Sequence, residues 1–428
     1  MSKRTAFPPV FWLANFIEVL ERFAYYGIYL GFGIYMEYLG YSKGQLGFVQ
    51  TLFLLVSYTV PLISGTFADR FGFKKMLLVS YLAYIPTICL LMFTKSFSGI
   101  ALTMLGIGFA AGIFKPLISG TVRVSTDGSN KTLGFGIFYA MVNVGASFGP
   151  VVAGKLRAIS WNYAFLVSAI TITIMFFVTL FFYKEPEREI EGVTLKQKFA
   201  DIWEALSDVK FALFLGMLGF FFWIPFWGFF NLVAIFIDKN VDTAALFQYV
   251  QMVLGSGIAN FLSHVDADGQ RKLLGETIAH TGYIIIFFQL FVSKAAERFA
   301  GIPTFLFGLF VTAVGFVVLA FAAFSSPAFA FLGIFIFAVG EMIASPRIQE
   351  YITWMAPKEK AGLYMGASFL SVGVGAFSGM IYTPLYGMFR EMGHPEYVWY
   401  VLAAHTIIGI GAIWGFVKFM GDFKELDN

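Results

Sequence analysis

Residues Trp161 to Tyr183 read WNYAFLVSAITITIMFFVTLFFY, and Lys184-Glu-Pro-Glu-Arg-Glu189 follows at once. The first stretch carries no formal charge over a length that suits a bilayer crossing, which takes about 20 apolar residues at about 1.5 Å each. The second opens the most charged stretch in the chain. Outward from this boundary the alternation repeats. On the N-terminal side, apolar runs fall at 10–38, 45–69, 76–94, 98–123 and 133–156, with 161–183 closing the set. On the C-terminal side they resume at 211–237, 277–296, 302–324, 328–354, 361–388 and 396–420. The expectation is an all-α membrane protein of about 12 transmembrane helices in two six-helix bundles. Residues 1–183 form the first bundle, 184–210 a linker and 211–428 the second.

Composition agrees. Of 428 residues, 58% are hydrophobic, 19% aromatic and only 13% charged. A soluble domain carries about a quarter charged residues, so too few charges remain here to cover a water-facing surface. The 54 Phe and 44 Gly suit lipid-facing surfaces and close helix contacts. The net charge of +3 is spread along the chain, and no basic block points to nucleic acid. Cys89 is the single cysteine and reads as a small buried apolar residue. His264, His280, His394 and His405 show no metal-ligand spacing. With no nucleophile–base pair at membrane depth, an enzyme, a metal and a cofactor are not expected. The basic start Met1–Arg4 precedes a run that contains Glu18, Glu21 and Arg22, which reads as a retained first helix rather than a cleaved signal.

Lysine and arginine sort by loop. Placing the N-terminus in the cytoplasm puts Lys3, Arg4, Arg70, Lys74, Lys75, Arg123, Lys131, the linker cations, Lys294, Arg298, Lys358, Lys360, Lys418 and Lys424 on that side. Both termini are then cytoplasmic, and a bacterial inner membrane is the expected location. The linker has apolar residues at helical spacing over Leu195–Leu206, which predicts an interfacial amphipathic helix. Residues 238–276 are too polar to be lipid-buried as a whole. They read as an external insertion with one or two short helices on the membrane or against the protein; a re-entrant segment is the alternative. Phe247, Val250, Met252, Val253, Leu254, Ile258 and Phe261 are expected to cover the second bundle's outer surface and shape lateral access.

Charges within spans are expensive and mark polar cavities. The first helix reads Glu18-Val-Leu-Glu21-Arg22-Phe-Ala-Tyr25-Tyr26-Gly-Ile-Tyr29. At about 100° per residue, its acids, arginine and tyrosines fall within an arc of about 140°. One reading is a structural Glu18–Arg22 pair in the favourable i, i+4 order. The other counts two acids to one arginine, so that one carboxylate can take up a proton. Lys115 lies inside the fourth span, either in the cavity or snorkelling to the interface. Glu341 sits mid-span in the tenth, with no sequence neighbour to neutralise it. Arg347 and Glu350, nearer the helix end, read as a gate or an interfacial pair. Gly65-Thr-Phe-Ala-Asp69-Arg70-Phe-Gly72-Phe-Lys74-Lys75 reads as a hinge between the second and third spans.

At these residues a family becomes visible. The Asp69 loop resembles the cytoplasmic loop motif of the major facilitator superfamily. Glu18-x-x-Glu21-Arg22-Phe-x-Tyr25-Tyr26-Gly27 is similar to the signature of the proton-dependent oligopeptide transporter family. Phe114-Lys115-Pro116, the stretch Phe138–Pro150 around Asn143, and Gly340-Glu341-Met-Ile-Ala-Ser345-Pro346 resemble three further motifs in the same order. The resemblance implies a major facilitator fold and proton-coupled symport of di- or tripeptides by alternating access. It implies proton coupling by Glu18, Glu21, Arg22 and Glu341, with protons as the coupling ion. It implies substrate contacts from Arg22, Tyr25, Tyr26, Tyr58, Lys115, Asn143, Glu341 and Ser345, with Arg22 and Lys115 on the carboxylate and Glu341 at the ammonium end. Asp69, Arg70 and Lys74 take structural or gating roles. The partners implied are a small peptide-like substrate and the lipid bilayer, for a monomeric protein.

The chain departs from that pattern. The seventh span, Phe222-Trp223-Ile-Pro225-Phe-Trp227-Gly228-Phe-Phe-Asn231, carries no acid. His280-Thr281-Gly282 stands where the family has Asn-Pro, and Ser368 where it has a Trp. Two further readings therefore stand beside the first: a carrier of another amphipathic ligand, such as a peptide conjugate, lipid-like molecule or drug, and a non-transporting receptor or assembly partner.

Overall fold

The computed structural model describes residues 6–127, 130–186, 194–266, 268–296, 299, 301–355 and 361–421. The chain is almost wholly helical. In order come α1 (Pro9–Tyr38), α2 (Lys43–Thr59), α3 (Pro61–Phe71), α4 (Phe73–Phe93), α5 (Phe97–Val124), α6 (Lys131–Ile159) and α7 (Trp161–Phe182). The linker holds α8 (Leu195–Ser207). Then follow α9 (Val209–Leu218), a π-helical turn (Gly219–Trp223), α10 (Ile224–Asn240) and α11 (Thr243–Leu262). A hairpin of β1 (Ser263–Val265) and β2 (Arg271–Leu273) leads into α12 (Gly275–Ile278) and α13 (Gly282–Ala296). The chain ends with α14 (Gly301–Ala320), α15 (Phe329–Met355), α16 (Ala361–Gly375), α17 (Ser378–Glu391) and α18 (Tyr397–Met420).

Among the described residues, 11 helical stretches are long and apolar enough to cross a membrane. Ten coincide with spans expected from the sequence. The remaining expected spans are α1, whose charges and tyrosines lower its apolarity, and α13, which is short. The eleventh stretch is α11, inside the insertion that the sequence marked as too polar to span. The middle of that insertion, 244–262, reads from the sequence as amphipathic rather than uniformly apolar. The charges gather outside α11, so the helix itself is apolar.

Several spans are jointed. Pro61 cannot continue the hydrogen-bond ladder of α2, so the second span bends into α3. The seventh span widens into the π turn just before Pro225, and such turns recur at functional positions. The eighth is interrupted between α12 and α13, the eleventh between α16 and α17. Several helix starts are capped by side-chain oxygen acceptors, which satisfy orphan N–H groups. Asp208 accepts from Phe211 N–H at 3.2 Å, and Ser96 from Gly99 N–H at 3.2 Å. At α4 the acceptor comes from afar: the Glu185 carboxylate takes the N–H groups of Phe73 and Lys74 at 2.7 and 2.8 Å.

The chain divides into two compact units. One comprises Met1–Phe32 with Leu52–Lys198, the other Gly33–Thr51 with Phe199–Asn428. In the first, α6 lies against α1 through Gly145 and Gly149, where an added Cβ would strike the carbonyl oxygens of Val19 and Phe23. Only glycine lets the two backbones meet this closely. In the second, α14 packs along α15, and Phe229 stacks on Phe337 at 3.8 Å. Residues 33–51 are bound to this unit by polar contacts. Gln50 donates to Asn231 O at 3.1 Å and accepts from Thr383 Oγ1 at 2.7 Å. Thr51 Oγ1 accepts from Met380 N–H at 3.0 Å. Glu37 accepts from both Lys43 and Arg390, the latter at 2.8 Å.

Candidate functional site

In the first unit, α1 presents its polar face to α4 and α5. Arg22 Nη2 lies 2.5 Å from Glu21 Oε2, and Arg22 Nε lies 3.1 Å from Glu18 Oε1. All three side chains are buried. Tyr84 of α4 donates its phenol proton to Glu21 Oε1 across 2.6 Å. Two carboxylates thus share one guanidinium, and the arc read from the sequence is an actual cluster. The contacts are close but poorly aimed, so Glu21 Oε2 and Arg22 Nε lack a hydrogen-bond partner among the described residues.

Lys115 does not snorkel to an interface. Its ammonium donates to Ser57 O at 3.2 Å and sits 3.7 Å from the centre of the Tyr58 ring. It makes no ion pair among the described residues. The ring of Tyr25 stands between the cations: Lys115 Nζ is 5.3 Å and Arg22 Cζ 5.1 Å from its centroid. Tyr25 packs in turn on Tyr26, Tyr29 and Phe53. Its hydroxyl is buried with no hydrogen-bond partner among the described residues. A buried unsatisfied hydroxyl costs about 1–3 kcal/mol, which a ligand atom or water there would remove.

Asn143, on α6, is buried and donates to Tyr139 O at 2.9 Å, with no hydrogen bond to this cluster among the described residues. Arg70 is exposed, its guanidinium 5.3 Å from the Phe71 ring centre. Lys74 takes part through its backbone N–H on Glu185. The side chain of Asp69 lies outside the described residues.

In the second unit, Glu341 of α15 is buried, and the hydroxyl of Thr281 donates to its Oε2 at 3.1 Å. Thr281 stands in the interruption between α12 and α13. The preceding His280 is also buried, and its Nδ1 accepts from Gly282 N–H at 2.7 Å. Glu341 borders a void of about 10 Å³, room for at most one water. Phe222, Phe226, Phe337, Thr312 and Thr406 line that void. Ser345 is half-buried one turn further along α15.

Sequence reasoning missed Tyr84 and Thr281. Tyr84 belongs to a run with no charge, and the usable signal was its spacing from Tyr81 in a segment otherwise aliphatic. Thr281 was noticed only as a departure from a pattern.

With this geometry in hand, comparison with known proteins gives the class. Residues 11–380 match the Major Facilitator Superfamily. The chain belongs to that superfamily: it is a multi-pass integral membrane protein of the transporter class. The MFS-type transporter YttB of Bacillus subtilis is 22% identical over 362 residues, 82% of this chain and 80% of YttB. The quinolone resistance protein NorA of Staphylococcus aureus is 23% identical over 168 residues, 38% of this chain and 43% of NorA. Among solved structures, a POT family transporter in complex with a thioalcohol-conjugated peptide superposes with a TM-score of 0.76 at 18% identity, covering 96% of each chain. The nucleoside transporter NupG superposes with a TM-score of 0.77 at 13% identity, over 95% of this chain and 99% of NupG. These likenesses establish the fold.

Proposed function

We propose that the chain is a divergent member of the proton-dependent oligopeptide transporter family, a symporter of di- and tripeptides or related zwitterionic solutes that works by alternating access. The observation that carries this reading is the arrangement around Tyr25: Arg22 and Lys115 on one ring, Lys115 with no ion pair among the described residues, and two acids on one guanidinium. Two cations beside an open hydroxyl suit a substrate carboxylate. The Glu18–Glu21–Arg22 cluster has one carboxylate more than its arginine can neutralise, which suits proton uptake and release. Glu341 carries the acidic counterpart for an ammonium and a second proton site; Asn143 and Ser345 contribute hydrogen bonds. Asp69, Arg70 and Lys74 shape the hinge. The chain works as a monomer in a bacterial inner membrane with both termini cytoplasmic, where a membrane potential contributes about 2.3 kcal/mol per charge per 100 mV.

The test is dipeptide uptake into proteoliposomes. Accumulation should follow an imposed inward proton gradient, and uptake indifferent to that gradient overturns the coupling.

A second reading is a carrier of another amphipathic ligand. The acid-free aromatic seventh span favours it, because its Phe221, Phe222 and Phe226 line Glu341's void. A thermal-shift screen of dipeptides against amphiphilic amines separates the two.

A further inference from the structure

The segment between α10 and α12 has no place in the transport scheme. From Thr243 to Val265 it carries no formal charge. Its N-terminal half is anchored. Asp242 caps α11 by accepting from the N–H groups of Ala244 and Ala245 at 3.0 Å, and Leu246, Phe247 and Val250 are buried. Among the described residues, α11 packs chiefly against β1, β2 and α12.

Beyond Val250 the segment changes character. Met252, Val253 and Leu254 are 74%, 74% and 53% exposed, and Ile258 and Phe261 are exposed as well. These five residues therefore do not cover the second bundle, as the sequence had suggested; only Phe247 and Val250 pack inward. The helix breaks at Gly255, whose φ of +81° is a conformation that glycine adopts freely. Gln251 Nε2 donates to Ser256 Oγ at 3.3 Å across the break, so these polar groups satisfy each other locally.

We propose that this broken tip, residues 251–261, is a membrane-inserted finger whose occupant is the acyl-chain region of the leaflet beside it. Three consecutive apolar residues cover about 200° of a helix circumference, wider than the roughly 100° stripe one packed face presents. A protein partner would cover one side; acyl chains surround all sides. The charge pattern matches. A low-dielectric occupant accepts an uncharged segment, and the first charges after it, Asp266, Asp268, Arg271 and Lys272, gather in the hairpin, where headgroups would meet them. Asp266 and Lys272 pair there at 2.5 Å. The kink at Gly255 redirects the helix within the segment, where a straight crossing would keep one axis.

The test uses the full-length protein in phosphatidylcholine liposomes. Cys89→Ser removes the native thiol, and a nitroxide is then attached at Val253→Cys or, in separate protein, at Leu254→Cys or Asp268→Cys. The ratio of oxygen to nickel-chelate collisions should be several times higher at 253 and 254 than at 268. Ratios at 253 and 254 equal to that at 268 would mean a tip in water and would overturn the proposal. Protection from both reagents at 253 and 254 would mean a protein contact, such as a second copy, and would overturn it equally. Agreement of two adjacent positions guards against one misfolded variant. Neither outcome depends on what the protein transports.

Discussion

Tyr84 donates its hydroxyl proton to Glu21 across 2.6 Å, tying the third span to the first at one of the two acids that pair with Arg22. A hydrogen bond to a charged group is worth about 1.5–3 kcal/mol. Removing it with Tyr84→Phe should lower proton-driven uptake by about tenfold or more, since 1.36 kcal/mol is a factor of ten. Parallel measurement of driven uptake and counterflow checks this. Undiminished driven uptake in Tyr84→Phe would show that the bond is only structural.

Glu21→Gln keeps the shape of the side chain and the acceptor for Tyr84 but removes the charge. Driven uptake should be lost while exchange of substrate across the membrane persists. Equal loss of both, in protein that keeps its melting temperature, would count against a role in coupling.

Lys115 holds a position over Tyr58 and makes no ion pair among the described residues. Lys115→Ala should weaken binding of a dipeptide by about tenfold or more, the worth of one charge-assisted contact. The same dipeptide with an amidated C-terminus should bind wild type and variant alike. Competition binding with both ligands reads the difference, and an equal loss for the two would place Lys115 away from the substrate carboxylate.

Glu37 accepts from Lys43 and Arg390 in a cluster that is partly open to solvent. Its contribution should be modest, about 1 kcal/mol or less. Glu37→Gln should therefore lower the melting temperature slightly at low salt and less at high salt, where screening weakens the wild-type cluster. Melting curves at two ionic strengths test it.

Asp266 and Lys272 lie outside the spans, in the hairpin. The hydrogen bond from Lys272 lowers the Asp266 pKa from 3.8, and the same bond raises that of Lys272 above 10.5. A lowered acid stabilises the fold above pH 3.8, and its contribution is lost as pH falls through the lowered value. A raised lysine contributes below pH 10.5 and is lost as pH rises through the raised value. Protection of the hairpin amides from exchange should thus be flat across neutral pH and drop at both extremes. Lys272→Ala should remove the alkaline drop and weaken the acid one, since the backbone N–H groups of Gln270 and Asp268 still donate to Asp266.

The spans were legible because lipid imposes a blunt rule: about 20 residues without charge, or a reason for each exception. The cluster on α1 was legible for the same cause, since Glu18, Glu21 and Arg22 are the exceptions. What stayed hidden were features with no charge to mark them. Tyr84 looks like one more aromatic in an apolar helix. Thr281 becomes informative only when Glu341, 60 residues later, is placed against it. The π turn at Gly219–Trp223 depends on backbone register, and the hairpin after α11 is too short to show an alternating pattern. Gln248, Gln251, Ser256 and Asn260 interrupt the apolar run and give α11 an amphipathic look, although it carries no charge and is apolar enough to span.

The close seating of α6 on α1 has a consequence for biogenesis. Helix α1 is made before α4 and α6, yet it is not among the stretches apolar enough to enter a bilayer on composition alone. Each charged residue near its centre resists insertion by about 2.5–3.5 kcal/mol. Tyr84 and the glycines that fit against Val19 and Phe23 are translated only later, on α4 and α6. Helix α1 is therefore expected to need shelter by the insertion machinery until its partners emerge. Substituting Gly149 with a bulkier residue should appear first as a defect in how much protein reaches the membrane.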